Sequence, residues 1–162
     1  MKKFGIEIKW AINFSIITLL WMILEHSLGW HDENIGKHAI YTNFFIIIAI
    51  FTYFIAIKDK KDNFYARNMT FRKGFVSGVM LSIFIAILSP IVQYISFKFI
   101  APNFFENIIN YTVTHKIQTQ IQAEDYFNLK SYTIQGFFGS LSMGVVTSAI
   151  IAYFLKSKPI KQ

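Results

Sequence analysis

Hydrophobic positions along the chain fall into four long runs, Trp10 to Leu24, Ala39 to Ile57, Phe75 to Phe97 and Ser131 to Leu155, and none contains an Asp, Glu, Lys or Arg. A bilayer core of about 30 Å is crossed by roughly 20 predominantly apolar helical residues, with about 17 to 25 the usual range. The last three runs meet that length outright, and the first does once Ile8 and Leu28 are counted with its flanks. The pattern predicts an all-α integral membrane protein with four transmembrane helices, near 8–28, 38–57, 74–99 and 131–155, in one membrane domain, 1–162. The first run follows Met1-Lys2-Lys3 in the manner of a signal peptide. It is longer than the about 7 to 15 residues of a signal-peptide core, carries Trp21 and ends at Glu25-His26 without a small-residue cleavage site, so it is expected to stay as a helix.

The segments between the runs have their own pattern. From 102 to 130, Pro102 stops one helix, and Phe104, Phe105, Ile108, Ile109 and Tyr111 or Thr112 then recur at the spacing of one apolar helical face. After a polar turn at His115 and Lys116, Thr119 with Gln122 three residues later is a capping-box signature for a second short helix, expected to run through Tyr126 and Phe127 into the fourth span. This predicts a helical hairpin over one end of the bundle, the alternative being an amphipathic arm that docks lipid or another protein. The loop from Lys58 to Lys73 reads as a short hairpin or interfacial turn, with Thr70 placed to cap the third helix.

Charge orients the helices. Basic residues in short loops mark the cytoplasmic side. Twelve of them (Lys2, Lys3 and Lys9; Lys58, Lys60, Lys61, Arg67, Arg72 and Lys73; Lys156, Lys158 and Lys161) share one side of a four-span chain with three acids, a net of +9. Four (Lys37, Lys98, Lys116 and Lys130) share the other with six acids, a net of −2. Both termini are therefore expected to be cytoplasmic, in a multi-pass protein of the inner membrane. The formal charge of +7 lies in loops facing the anionic inner leaflet, which accounts for it without nucleic acid as a partner.

Composition narrows the chemistry further. A hydrophobic share of 54% exceeds the about 45 to 50% of soluble chains, and the excess belongs in lipid. The absence of cysteine excludes disulfides, thiolate zinc sites, iron–sulfur clusters and cysteine nucleophiles. No ionisable residue lies near the centre of any span, which argues against a proton-coupled transporter. There is no GxSxG, P-loop or glycine-rich nucleotide motif. No catalytic residue and no cofactor is assigned, and the chain is not expected to be an enzyme.

Helices in lipid associate through close backbone approach and polar bonds rather than burial of apolar surface. Gly74, Gly78, Ser82 and Ala86 recur every four residues in the third span, and Gly136, Ser140, Gly144 and Ser148 do so in the fourth. The two stripes are expected to face each other, with self-association of one stripe into a dimer as the competitor. Pro90 cannot donate to the Ala86 carbonyl and should bend the third helix, with Ser89 and Gln93 available to satisfy the freed group.

One polar cluster stands apart. Glu25-His26, His31-Asp32-Glu33 and Lys37-His38 join the first two helices, and the connection is short enough for Glu25, His31 and His38 to converge. Imidazole with carboxylate is ligand chemistry for zinc and related metals. No HExxH-like spacing accompanies it, so the expectation is a hydrogen-bonded cap over the helix ends. In that cap Glu25 pairs with Lys37 or His38, Trp21 and Trp30 act as interfacial anchors, and no metal is assigned.

The chain resembles a family of small bacterial membrane proteins catalogued as domain of unknown function forty-one ninety-nine. The likeness is carried by Leu24-Glu25 with His31-Asp32-Glu33, Lys37 to Asn43, Met69-Thr70-Phe71 with Gly74-Phe75, Ser89-Pro90 with Gln93-Tyr94, and Tyr126 to Tyr132. The resemblance implies a four-helix membrane protein without an assigned role. The reading that follows is a small multi-pass membrane protein acting through membrane lipids, a membrane-protein partner or a homo-oligomer. The alternatives are small-ligand transport as an oligomer and an outer-interface enzyme using Glu25, His31 and His38.

Overall fold

The computed structural model describes residues 3–157, so Lys2, Lys158 and Lys161, which entered the charge comparison, lie outside the described residues. Its elements are α1 (Gly5–Ser27), α2 (His38–Tyr41), α3 (Phe45–Asn63), α4 (Phe71–Ile95), α5 (Phe104–Thr114), α6 (Gln120–Tyr126) and α7 (Leu129–Leu155). Among the described residues, four stretches are long and apolar enough to cross a membrane: Gly5–Ser27, Ile35–Asn63, Phe71–Ile100 and Leu129–Leu155. Each extends beyond its apolar run because charged and polar residues continue the helix past the hydrocarbon. α7 alone, with 27 residues, is about 40 Å long at 1.5 Å per residue.

Around the bundle the order is α1, α4, α7, α3, and the closest pair is α4 with α7. That closeness follows from the small residues. A Cβ built on Gly74 would meet Ala152, one on Gly78 would meet Ser148, and one on Gly144 would meet Ser82 and the Tyr53 hydroxyl. The two stripes therefore run antiparallel in a single register, and at Gly78 and Gly144 an added side chain would collide with the facing serine. Gly136 faces Gln93, whose amide nitrogen would lie 2.7 Å from an added Cβ. Tyr53 Oη donates to Ser82 Oγ at 3.0 Å, joining α3 to the α4–α7 seam.

α4 continues through Pro90, and Ser89 Oγ donates to the Ala86 carbonyl that proline leaves unpaired, at 3.0 Å. Five further residues, Ser96–Ile100, wind as a π-helix before Pro102, a widening the sequence pattern does not predict. Thr70 caps α4 by accepting from the Lys73 N–H, and the Thr119–Gln122 capping box opens α6. The expected continuation of α6 into the last span does not occur. The chain breaks at Phe127, and Asn128 starts α7 afresh, its Oδ1 accepting from the Ser131 N–H at 2.9 Å while its amide donates to the Glu124 and Asp125 carbonyls. The Lys58–Lys73 connection is a continuation of α3 to Asn63 and then a tight turn in which Ala66 and Arg67 take left-handed conformations, at φ 48° and 65°.

The antiparallel pairing of the helices gathers the described basic residues of the first, middle and last segments at one end, here the basic end. There Glu7 and Lys60, counted in the sequence as flanking charges, are 3% and 2% exposed. Lys60 Nζ lies 3.0 Å from the Glu7 carboxylate and 3.8 Å from the Phe64 ring centroid, and Ser77 Oγ donates to Glu7 at 2.7 Å. The opposite, histidine end is closed by a second apolar cluster of Ile35, Ala101, Phe104 and Ile108. Much of the remaining surface of the spans is apolar, with residues such as Leu20, Ile47, Phe51, Ile87 and Phe138 facing outward as a lipid-exposed rim must.

Candidate metal centre

The last turn of α1 sets the first candidate ligand, Glu25. Glu25 points into the bundle's end and is fully buried. Its Oε1 accepts from Trp21 Nε1, one turn earlier, at 2.6 Å. The helix ends at Ser27, Gly29 takes a left-handed conformation at φ 71°, and the chain turns back so that Trp30 N–H bonds the Glu25 carbonyl. This reversal brings His31 inward, 1% exposed, with Nε2 3.1 Å from Glu25 Oε2. A 3-10 turn at Ile35–Lys37 then leads into α2, whose first residue, His38, is half-buried beside them.

One carboxylate oxygen of Glu25 and one ring nitrogen each of His31 and His38 lie within 4.8 Å of one another. Ligands on a tetrahedral zinc with bonds of about 2.0–2.1 Å are about 3.3 Å apart, so the widest pair would have to draw together by up to about 1.5 Å to hold one. The His31 and His38 Nδ1 atoms are buried and have no hydrogen-bond partner among the described residues. An unpaired buried polar atom costs about 1–3 kcal/mol. Each of the two histidines beside the buried Glu25 thus carries one such atom.

The surroundings hold the three side chains in place. Phe104, the first residue of α5 and fully buried, packs edge-on against both imidazoles, with centroids 5.3 Å from His31 and 4.9 Å from His38. Asn107, one turn later, donates to the His31 carbonyl at 3.0 Å and to Asp32 Oδ1 at 2.8 Å. Trp30 stacks on Tyr41 at 4.5 Å and lies edge-on to Trp21, so the two indoles extend one aromatic wall beside Glu25.

The structure sorts the predicted cluster into two layers. Glu25 and His31 turn inward, while His26 and Asp32, their immediate neighbours, turn outward and face each other with His26 Nδ1 3.5 Å from Asp32 Oδ2. His26 thus belongs to the surface, stacked over His31 rather than among the buried donors. Glu25 is held by Trp21 and His31, whereas Lys37 is exposed. Trp21 as the carboxylate's donor was not foreseen, although its i, i+4 spacing to Glu25 on one helix is a readable signal. Phe104 and Asn107, more than 60 residues away in the chain, had none.

A family model described as "Protein of unknown function (DUF4199)" matches residues 9–157. No curated protein and no solved structure matches the chain.

Proposed function

The chain belongs to this family, whose description assigns no activity, and we propose from its own residues that it is a metal-binding multi-pass protein of the inner membrane. The reading places both termini in the cytoplasm and one divalent transition-metal site at the opposite end of the bundle. The carrying observation is the convergence of Glu25, His31 and His38 with two buried imidazole nitrogens left unpaired. This donor set, without thiolates, suits zinc and its neighbours rather than copper(I) or a hard cation. Trp21 orients the carboxylate from behind, the arrangement by which an outer hydrogen bond tunes a ligand.

The site is read as binding and structural rather than catalytic, because the ring of Phe104 closes over both histidines. Joined to Glu25, His31 and His38, a metal ion would tie the end of α1 to the start of α2 beneath α5. That bond would fix the α5–α6 arm, whose Ile117 and Ile121 are 61% and 73% exposed and available to lipid or a protein partner. A transport role is disfavoured by the seam of Tyr53, Ser82 and Ser148 that fills the centre of the bundle.

Zinc titration of the metal-stripped, tag-free protein in detergent, followed by calorimetry, tests the reading. The expected result is one site per chain, abolished in Glu25→Gln/His38→Ala and weakened about 10- to 100-fold in Trp21→Phe, the usual loss when an outer-shell bond is removed. Absence of saturable binding of zinc, cobalt, iron(II) or manganese to the wild-type chain would overturn it.

A further inference from the structure

At the basic end, α1 and α3 are tied by Asp59, which accepts from Lys9 and from Trp10 Nε1 on α1 and from Asn63 Nδ2 on its own helix. Beside this tie lies a groove of about 580 Å³, open toward the lipid, whose two ends differ in chemistry. Its polar end carries Lys9, Lys58, Asp59 and Asp62, and one to two helical turns deeper its wall is Ile55, Phe54 and Phe51. Phe51 is 63% exposed, so the apolar end continues into the rim that faces the hydrocarbon.

We propose that this groove binds one phospholipid with a primary-amine headgroup, of the phosphatidylethanolamine class. The polar end holds two ammonium and two carboxylate groups and is formally neutral, whereas a site shaped for an anionic lipid carries an excess of positive charge. A zwitterion complements it: the phosphate meets Lys58 and Lys9, the ammonium meets Asp62, and an acyl chain lies along Phe54 and Phe51. Asp62 is available for this, since its partner among the described residues is Arg67, 85% exposed and 3.9 Å away. The Trp10 indole, held by Asp59, adds to the groove a ring of the type that favours the headgroup region. The site lies at the opposite end of the bundle from Glu25, His31 and His38 and does not depend on metal there.

Native mass spectrometry of the full chain, delipidated in detergent and offered equal amounts of ethanolamine, glycerol and choline phospholipids with matched acyl chains, tests this. The expected result is one retained lipid per chain, with the ethanolamine lipid favoured about two- to fivefold over the others, the range of one partly exposed ion pair. Asp62→Asn is expected to erase that preference, and Lys58→Gln to lower retention of all three. Both residues lie outside the Asp59 tie, so the variants should fold. Equal retention of the three lipids by the wild type, or an unchanged ratio in Asp62→Asn, would overturn the proposal.

Discussion

Single side chains decide the chemistry at both ends of the bundle. Glu25 at one end and Glu7 at the other are buried carboxylates, but they are satisfied differently. Glu7 meets an ammonium group and a hydroxyl, whereas Glu25 meets an indole and an imidazole whose other nitrogen is unpaired. Removing one partner of a buried ion pair costs about 3–5 kcal/mol because it strands the other charge, while replacing both with apolar groups is often tolerated. Lys60→Met should therefore destabilise the bundle strongly, and Glu7→Leu/Lys60→Met should recover much of the loss, as read by thermal unfolding in one detergent. Equal loss in the single and double variants would show that the pair is not the controlling contact. These depths were not legible in the sequence, where both residues read as flanking charges, because helix-end burial depends on neighbours 53 and 70 residues away.

At the scale of elements, the four spans could be read because lipid demands a long uncharged run, and the two capping signals could be read because their donors and acceptors are three residues apart. The break at Phe127 was not, although Asn128 three residues before Ser131 is a cap of the same kind. Apolar neighbours on both sides masked it. The π-helical turn at Ser96–Ile100 was not read from the apolar pattern, which does not distinguish it from the α-helix it continues, and the Glu25–His31–His38 convergence was visible only because its loop is short. The closest crossing of α4 and α7 carries its own prediction. At Gly144 an added Cβ collides with Ser82 and Tyr53, so Gly144→Ala should cost about 1–3 kcal/mol by overpacking, and Gly144→Leu should prevent stable folding. Gly139, with open space around it, should accept alanine without loss in the same unfolding assay.

The whole molecule is an asymmetric bundle: a basic end held by a buried ion pair, and a histidine end where Phe104 roofs His31 and His38 beside Glu25. In the orientation proposed from the charge asymmetry, the basic end faces the cytoplasm. The chain has no native cysteine, so single cysteines report position without background. In intact cells, a membrane-impermeant maleimide is expected to label Lys116→Cys and to leave Arg67→Cys unlabelled until the membrane is opened. The reverse pattern would invert the topology and put the donor set inside the cell. The proposed metal binding at the histidine end bears most on what the molecule does. It is tested most directly by elemental analysis of the tag-free protein extracted from membranes without chelator. The expected result is about one equivalent of zinc or a neighbouring divalent metal per chain, lost in Glu25→Gln/His38→Ala, whereas a wild-type chain carrying no more metal than that variant would contradict the account.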